Sequence, residues 1–333
     1  MTKIIAEIGI NHNGSTKDLF KLIDSAKKAG ADFVKIQTYL IEDVMKREIS
    51  LAPYQKLNIK KNIKIFQLLK KYQISFKDHY KILKYCNKKK INFLSSPFDL
   101  SSAKFLCEQL KLKIIKIPSG EITNYPLLKY LSTKKVKIIL STGMSNLKEI
   151  SNAINILKVK KRNLTLLHCN TSYPTKFEDV NLLSMISIKK RFNCEIGFSD
   201  HSLGNQAAIL ACCLGAQWIE KHITLNNDSN GPDHKASLNV NEFVNFVKSI
   251  KDTKVILGSR IKKITNSEKI NLRFARKSVY AYKNIRKKEK FTNMNLVTLR
   301  PFIKGSEPMQ MKRLYGQKAK RNYQKFDLIK FVK

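Results

Sequence analysis

Two histidines, His201 and His222, end consecutive apolar, strand-like runs of the sequence and could bind one metal ion together. Imidazole nitrogens on neighbouring strand ends can share a divalent ion, and Asp200 and Glu220 stand close by in the sequence to complete the shell. Two neutral imidazoles with oxygen ligands and open positions suit Mn²⁺ or a similar ion rather than structural zinc. A lone histidine in such a place would instead indicate a structural residue or a catalytic base.

Two lysines, Lys35 and Lys116, interrupt the apolar runs Phe-Val-Lys-Ile-Gln and Ile-Ile-Lys-Ile-Pro. Burying lysine is costly without an anionic partner, so equivalent positions in two runs indicate a site for phosphate or carboxylate. Ser119, Ser141 and backbone N–H groups of tight turns could complete it. The alternatives are lysines that merely extend to solvent, or a lysine that forms a Schiff base in an aldolase.

Each of the eight apolar runs ends in polar residues, which is the strongest signal in the chain. A purely structural strand end needs one capping group and not a ring of ionisable ones. His12 and His168 are further candidates for proton transfer, with a structural role as the alternative, and Asp233 lies in a Gly-Pro-Asp-His turn. In chain order the strand-end residues are Glu7; Lys35 and Gln37; Ser95 and Ser96; Lys116, Ser119 and Glu121; Ser141 and Thr142; His168, Asn170, Thr171 and Tyr173; Ser199, Asp200 and His201; Glu220 and His222.

The elements that must position these residues are strands alternating with amphipathic helices, which is typical of βα units. Eight such units over about 250 residues favour a (β/α)8 TIM barrel, whose functional groups gather at the carboxyl ends of the strands. A doubly wound sheet is the alternative, but no GxGxxG loop follows the first strand. The predicted strands are 4–9, 33–37, 92–96, 114–117, 136–141, 164–169, 194–198 and 218–222, and helical patterns include 16–29, 101–110, 147–157 and 205–214.

The remaining segments predict an insertion and a second domain. Residues 38–91 hold a polar loop and two helical patterns after the second strand. The alternation of strands and helices stops after Gly258, a polar stretch follows, and the tail has short apolar runs separated by turn signals. We expect a barrel domain over 1–260, a linker over 261–274 and a small β-rich domain over 275–333.

The composition narrows the class of protein. The 333 residues carry a net charge of +39, mostly from lysine spread over the whole chain. Nucleic-acid binding is one interpretation, but base readout favours arginine and single-strand platforms need interleaved aromatics, so a solvated basic surface is preferred. Six cysteines without a CxxC pair indicate the reducing cytoplasm, and no apolar run reaches the ~20 residues that a membrane span needs.

The chain resembles the sialic acid synthase family, which makes N-acetylneuraminate and related nonulosonates such as legionaminic and pseudaminic acids. The tail from Arg276 through Leu299-Arg300-Pro301 is similar to the family's C-terminal SAF (antifreeze-like) domain. The matching motifs are AEIGINHNG (6–14), VKIQT (34–38), SSPFD (95–99), IKIPSGEITN (115–124), LSTGM (140–144), LHCNTSYPT (167–175), GFSDHSLG (197–204), EKHITL (220–225) and GPDHKASL (231–238).

The resemblance implies a role for each site residue. Those that hold phosphoenolpyruvate are Lys35, Ser96, Lys116, Ser119 and Ser141. Those that meet the amino sugar and its aldehyde are Glu7, Gln37, Glu121, Tyr173 and Asp233, and Ser199 belongs to the substrate-binding set. His201 and His222 bind Mn²⁺, with Mg²⁺ or Co²⁺ as alternatives, and Glu7 or Glu121 transfers protons. Arg300 reaches the barrel of a partner subunit and contacts the N-acyl group, which implies a domain-swapped homodimer.

The reaction implied is condensation of phosphoenolpyruvate with an N-acylated mannosamine and water, as in N-acetylneuraminate synthase. The alternative substrate is 2,4-diacetamido-2,4,6-trideoxymannose, as in N,N'-diacetyllegionaminate synthase. Three departures from the family pattern are visible: Thr171-Ser172 replaces Thr-Asn-Ile, Ser96 replaces threonine, and the sequence after Arg300-Pro301 lacks the usual glycine. The last departure concerns the loop that would carry Arg300.

Overall fold

Eight parallel strands form the centre of the fold in a computed structural model that describes residues 2–51 and 64–331. The hydrogen-bonded order is β3-β2-β1-β8-β7-β6-β5-β4, with β4 next to β3, so the sheet is a nearly closed barrel. The prediction of a (β/α)8 barrel is confirmed. The strands are β1 Lys3–Gly9, β2 Phe33–Thr38, β3 Asn92–Pro97, β4 Ile114–Ile117, β5 Lys137–Ser141, β6 Leu164–Cys169, β7 Glu195–Asp200 and β8 Trp218–His222.

Helices follow the strands, and the first of them is capped at both ends. Ser15 accepts a hydrogen bond from the Asp18 N–H at the start of the first helix, and Gly30 ends it at φ +87°. The helices of the barrel unit are Thr16–Ala29, Ile41–Val44, Ile65–Tyr72, Phe76–Lys89, Leu100–Lys104 with a π-helical extension Phe105–Gln109, Tyr125–Leu131, Leu147–Leu157, Ser184–Phe192, Gln206–Cys213 and Val240–Leu257. None of the helices that the structure describes has both the length and the apolar character that crossing a bilayer requires.

Side-chain alternation along the strands separates the core from the site. The outward residues pack against the helices, whereas the inward residues near the amino ends of the strands fill the barrel. That inner layer consists of Ile5, Phe33, Leu94, Ile139, Leu167 and Trp218. One pleat later, the next inward residues on the same strands are polar. The floor of the site is therefore the apolar plug of the barrel.

The predicted insertion after β2 lies partly outside the described residues, which omit 52–63. Its described parts include the helices Ile41–Val44 and Ile65–Tyr72, which share a small apolar cluster with Ile10 and Tyr39. This cluster covers one side of the loops that follow β1 and β2. The insertion thus contributes apolar wall to the open end of the barrel.

The chain divides into two compact units, 1–258 and 259–333. Part of the predicted linker is helical, Asn266–Ala275, because Thr265 and Glu268 form a capping box at its start. The second unit continues with an antiparallel pair, β9 Ser278–Ala281 and β10 Leu296–Leu299, around its own apolar core. Its assignment as an SAF domain stays a prediction.

Candidate active site

A cavity of about 520 Å³ opens at the carboxyl ends of the barrel strands. All but two of the residues predicted for the site line it. These lining residues are Glu7, Lys35, Gln37, Ser96, Lys116, Ser119, Ser141, Tyr173, Ser199, His201, His222 and Asp233. They meet there because each lies one or two pleats above the apolar plug on its strand, or in the loop that follows the strand.

Two lysines and two carboxylates form a buried ion network on one side of the cavity. Lys35 Nζ lies 2.9 Å from Glu7 Oε1 and 3.6 Å from Glu220 Oε1, and Lys116 Nζ lies 3.3 Å from the same Glu220 oxygen. Ser199 Oγ donates to that oxygen at 2.9 Å. Each of the four charged side chains is at most 4% exposed. Buried charges are tolerated because each faces an opposite one.

The pKa values of this network follow from burial and pairing. Burial raises the pKa of Glu7 to about 7, against the opposing attraction of Lys35. Burial would also raise the pKa of Glu220, but Lys116, Lys35 and the Ser199 hydroxyl together lower it to about 2. The two carboxylates therefore differ near neutral pH: Glu220 is ionised, and Glu7 can hold or release a proton.

Unpartnered polar atoms point to a polar ligand in this half of the cavity. Among the residues that the structure describes, Ser141 Oγ, Glu7 Oε2 and Glu220 Oε2 are buried without a hydrogen-bond partner. Ser96 Oγ accepts from Lys35 Nζ at 3.2 Å. Two ammonium groups and several hydroxyl donors line this side of the cavity. Together they can bind a phosphate or a carboxylate, because each of them can donate a hydrogen bond to an anionic oxygen.

His201 and His222 form a second cluster in the same cavity, with ring centroids 5.4 Å apart. His201 Nδ1 lies 2.5 Å from the backbone oxygen of Asn170, so this nitrogen donates and Nε2 keeps its lone pair. Nδ1 of His222 is buried and has no partner among the described atoms. Burial lowers the pKa of His201 to about 4 and that of His222 well below its ordinary value.

This histidine pair fits a catalytic divalent ion. Both rings are neutral, both offer a nitrogen lone pair, and Tyr173 packs against His201 with a centroid distance of 4.2 Å. Across residues 2–51 and 64–331, no group of three or more His, Cys, Asp and Glu side chains is arranged to hold a metal. Two protein ligands would leave several positions for water and substrate oxygens, as a catalytic rather than a structural ion requires.

Gly9 brings the two clusters together. Its φ of +54° turns the chain at the end of β1, and an added Cβ would lie 3.3 Å from Glu7 Oε1 and 3.4 Å from His222 Cε1. The parallel register pairs Glu7 with Lys35 on β2 and with His222 on β8. The Glu7 carboxylate thus stands between the ammonium cluster and the imidazole pair.

Several sequence candidates lie outside the wall of the cavity. Gly120 lines it, whereas the adjacent Glu121 is half-buried and accepts from Asn124 Nδ2 at 2.5 Å. Arg300 lies in the second unit, where its Nε donates to the backbone oxygen of Ala275 at 3.0 Å. His168 lies 2.7 Å from the Val180 backbone oxygen through Nε2, on the opposite face of β6 from the cavity.

Some lining residues were not among the predicted site residues. Glu220 was expected as an oxygen ligand that could complete the metal shell, whereas its carboxylate contacts Lys35 and Lys116. Cys169 also faces inward, and its Sγ lies 3.1 Å from Ser119 Oγ. Ile10, Leu69 and Phe98 form the apolar wall beside the insertion, and no local pattern marks them because their positions depend on tertiary packing.

Comparisons with known proteins agree with the barrel fold. The sequence profile described as the NeuB family matches residues 22–262. The N,N'-diacetyllegionaminic acid synthase of Campylobacter jejuni is 43% identical over 99% of both chains, and that of Legionella pneumophila is 38% identical over 96% of this chain and 90% of its own. The crystal structure of N-acetylneuraminic acid (sialic acid) synthetase from Leptospira borgpetersenii is 31% identical, with a TM-score of 0.70 over 81% of this chain and 90% of its own.

Proposed function

Because the chain belongs to the NeuB family and is a phosphoenolpyruvate-dependent condensing enzyme, we propose that its sugar substrate is 2,4-diacetamido-2,4,6-trideoxymannose. The products are then N,N'-diacetyllegionaminate and phosphate. The observation that carries the proposal is one cavity that two buried lysines, two imidazoles and three carboxylates line together. The choice of sugar is supported by relatives named N,N'-diacetyllegionaminic acid synthase at 43% and 38% identity. This favours the alternative substrate over N-acetylmannosamine.

Phosphoenolpyruvate is assigned to the lysine side of the cavity. Its phosphate and carboxylate need several cationic and hydroxyl donors, and Lys35 and Lys116 are both within it. Ser96, Ser119 and Ser141 supply the hydroxyl groups. Bound there, the anion would compete with Glu7 and Glu220 for the two ammonium groups. The proposal therefore gives the two carboxylates the role of orienting the ammonium groups that receive the anion.

His201 and His222 would hold the divalent ion, with Mn²⁺ as the expected metal. When bound, such an ion supplies Lewis-acid polarisation of the aldehyde oxygen of the open-chain sugar. The methylene carbon of phosphoenolpyruvate forms the new bond to the aldehyde carbon. Water then adds to the resulting oxocarbenium centre, and phosphate leaves by cleavage of its C–O bond.

Proton transfer is assigned to Glu7, of the two carboxylates predicted for it. Glu7 lines the cavity and has a pKa of about 7, raised by burial, so it can give a proton to the forming alkoxide near neutral pH. Glu220 stays ionised, and its charge would stabilise the oxocarbenium centre. Glu121 remains an alternative base for the attacking water. Its position beside the wall makes it the second choice.

The sugar is assigned to the side of the cavity formed by Gln37, Tyr173 and Asp233. Ser199 also belongs to the substrate-binding residues, because its hydroxyl holds the Glu220 carboxylate by a hydrogen bond.

Arg300 is proposed to meet the N-acyl group of a sugar bound by a partner subunit, within a homodimer that exchanges its C-terminal domains. Mixing inactive Lys116→Met and Arg300→Ala proteins tests this, since a mixed dimer would hold one intact site. No recovery of activity would contradict the exchange.

The proposed reaction is tested by phosphate release from phosphoenolpyruvate with purified protein, Mn²⁺ and either sugar. We expect release only when all three are present, and a larger kcat/KM for the diacetamido sugar. A larger kcat/KM for N-acetylmannosamine would make that sugar the substrate instead. Phosphate-releasing activity without phosphoenolpyruvate would rule out the proposed reaction. Borohydride trapping with pyruvate separates the aldolase alternative, because the proposed reaction forms no lysine adduct.

A further inference from the structure

The loops after β1 and β8 are tied together by side-chain hydrogen bonds that the proposed chemistry does not use. Asn11 is buried, and its Nδ2 donates to the backbone oxygen of Ile223 at 2.9 Å and to Ser237 Oγ at 2.8 Å. Ser237 Oγ donates in turn to the backbone oxygen of Asp233 at 2.6 Å. The hydrogen bond between Asn11 and Ser237 joins residues that are 226 positions apart in sequence. Asn11 thereby fixes the backbone of a residue whose side chain lines the cavity.

A second connection links the same two loops. His234 Nε2 lies 3.1 Å from Asn13 Oδ1, and its Nδ1 lies 2.7 Å from Thr224 Oγ1. An amide oxygen only accepts, so Nε2 carries the proton and Nδ1 accepts from the threonine hydroxyl. Burial lowers the pKa of His234 to about 4, which keeps the ring in this neutral form at physiological pH. The residues on both sides of the Asp233–His234 peptide bond are therefore anchored to the loop after β1.

We propose that Asn11 and Ser237 are positioning residues that set the place of the Asp233 carboxylate, and through it the binding of the sugar. This inference rests on the proposed function, because it takes Asp233 to contact the sugar. Asn11 and Ser237 are absent from the wall of the cavity, so they act only through the loop that they hold.

The hydrogen bonds from Asn11 through Ser237 to the Asp233 backbone are called the clamp below. The chemistry of the two substrates predicts which one depends on it. A carboxylate accepts hydrogen bonds, and the sugar offers O–H and amide N–H donors. Ionised phosphoenolpyruvate offers only acceptors, so it gains nothing from Asp233. A displaced Asp233 should therefore weaken the binding of the sugar and leave that of phosphoenolpyruvate nearly unchanged.

The test is steady-state kinetics of Ser237→Ala and Asn11→Ala with each substrate varied in turn. We expect the KM for the sugar to rise about tenfold, as for the loss of a buried hydrogen bond, and the KM for phosphoenolpyruvate to stay within about twofold. Asn92→Ala is the matched control, because Asn92 Nδ2 also donates to a backbone oxygen, that of Asp32 at 3.0 Å, at the opposite end of the barrel. It should change neither constant.

Asp233→Asn separates this inference from the proposed function. A raised sugar KM in Asp233→Asn with wild-type values in Ser237→Ala and Asn11→Ala overturns the positioning role alone. Should the wild type accept neither sugar, the proposed function fails, and hydrogen–deuterium exchange of residues 231–237 decides the clamp by itself. Faster exchange in Ser237→Ala than in the wild type and Asn92→Ala supports the clamp, and unchanged exchange overturns it.

Discussion

Lys35 Nζ and Glu7 Oε1 are 2.9 Å apart in the wall of the cavity, and both side chains are almost completely buried. Burial would lower the pKa of Lys35, but the carboxylates of Glu220 and Glu7 outweigh that effect and raise it. Lys35 is therefore an ammonium and not the neutral amine that a Schiff base needs. This contact joins the part of the cavity suited to anions with the part that carries the histidines.

Replacing Glu7 with glutamine should lower kcat about 10²- to 10⁴-fold, because the amide can accept from Lys35 but cannot transfer a proton. The thermal midpoint should change little, because the amide keeps the hydrogen bond and Lys35 Nζ still has Glu220 Oε1, 3.6 Å away, as its counter-charge. Phosphate release and a melting curve measure the two effects. Glu108→Gln is the control, an exposed carboxylate 2.7 Å from Lys134. A Glu7→Gln enzyme with wild-type kcat would contradict the role of Glu7.

Replacing His201 or His222 with alanine should weaken Mn²⁺ binding by about 100-fold or more, because a direct ligand is lost rather than an outer partner. Isothermal titration of the chelator-treated protein measures the affinity without relying on activity. Chelation should also abolish phosphate release, and added Mn²⁺ should restore it. His168→Gln is the control, since its ring contacts the Val180 backbone outside the cavity. Unchanged Mn²⁺ affinity in a variant with both His201 and His222 replaced by alanine would contradict the assignment of these residues as metal ligands.

The barrel and most of the cavity were predictable because both follow from local periodicity. Each strand is a short apolar run, and the alternation of side chains fixes which residue points inward once the strand end is known. Lys35 and Lys116 stood out because lysine is foreign to an apolar strand. Their common location follows from the fold class alone, since all barrel strands end at one face.

Other features depend on contacts that no local pattern encodes. Glu220 pairs with Lys116 across the barrel, although β8 and β4 are not neighbouring strands. Leu69 lines the cavity only because of how the insertion packs against the barrel. The helix Asn266–Ala275 forms in a segment whose polar composition indicated a linker. The clamp from Asn11 to Ser237 likewise joins two motifs that only the closure of β8 against β1 brings together.

Lowering the pH from about 6.5 towards 4 should lower the free energy of unfolding, measured by urea titration in the presence of a chelator. Burial lowers the pKa of four histidines outside the proposed metal ligands, and in the unfolded chain they regain their ordinary pKa and bind protons. These are His12, His79, His168 and His234. Glu7, Glu121 and Asp233 act in the opposite direction, because burial raises the pKa of all three, to about 7 for Glu7 and about 6 for Asp233. The four histidines outnumber these three carboxylates, so equal midpoints at pH 7.5 and pH 5 would contradict the prediction.

The last prediction concerns Asp200 and Lys221, which form a fully buried ion pair on the outer face of β7 and β8. Lys221 Nζ lies 2.8 Å from Asp200 Oδ2, and Asp200 Oδ1 accepts from the backbone N–H and the hydroxyl of Ser202. Asp200→Asn should lower the free energy of unfolding by about 3–5 kcal/mol, because it leaves a buried ammonium without its counter-charge. Denaturant unfolding measures the loss.

The double variant Asp200→Leu/Lys221→Met distinguishes a lost charge partner from lost hydrogen bonds to Ser202 at this position. It removes both charges while keeping apolar volume, so it should recover most of the stability that Asp200→Asn loses. Glu178→Gln is the control, because Glu178 and Lys176 form an ion pair with both side chains about three-quarters exposed, and its loss should cost less than about 1 kcal/mol. A double variant as unstable as Asp200→Asn would mean that the bonds to Ser202, rather than the paired charge, hold the ends of the strands that carry His201 and His222.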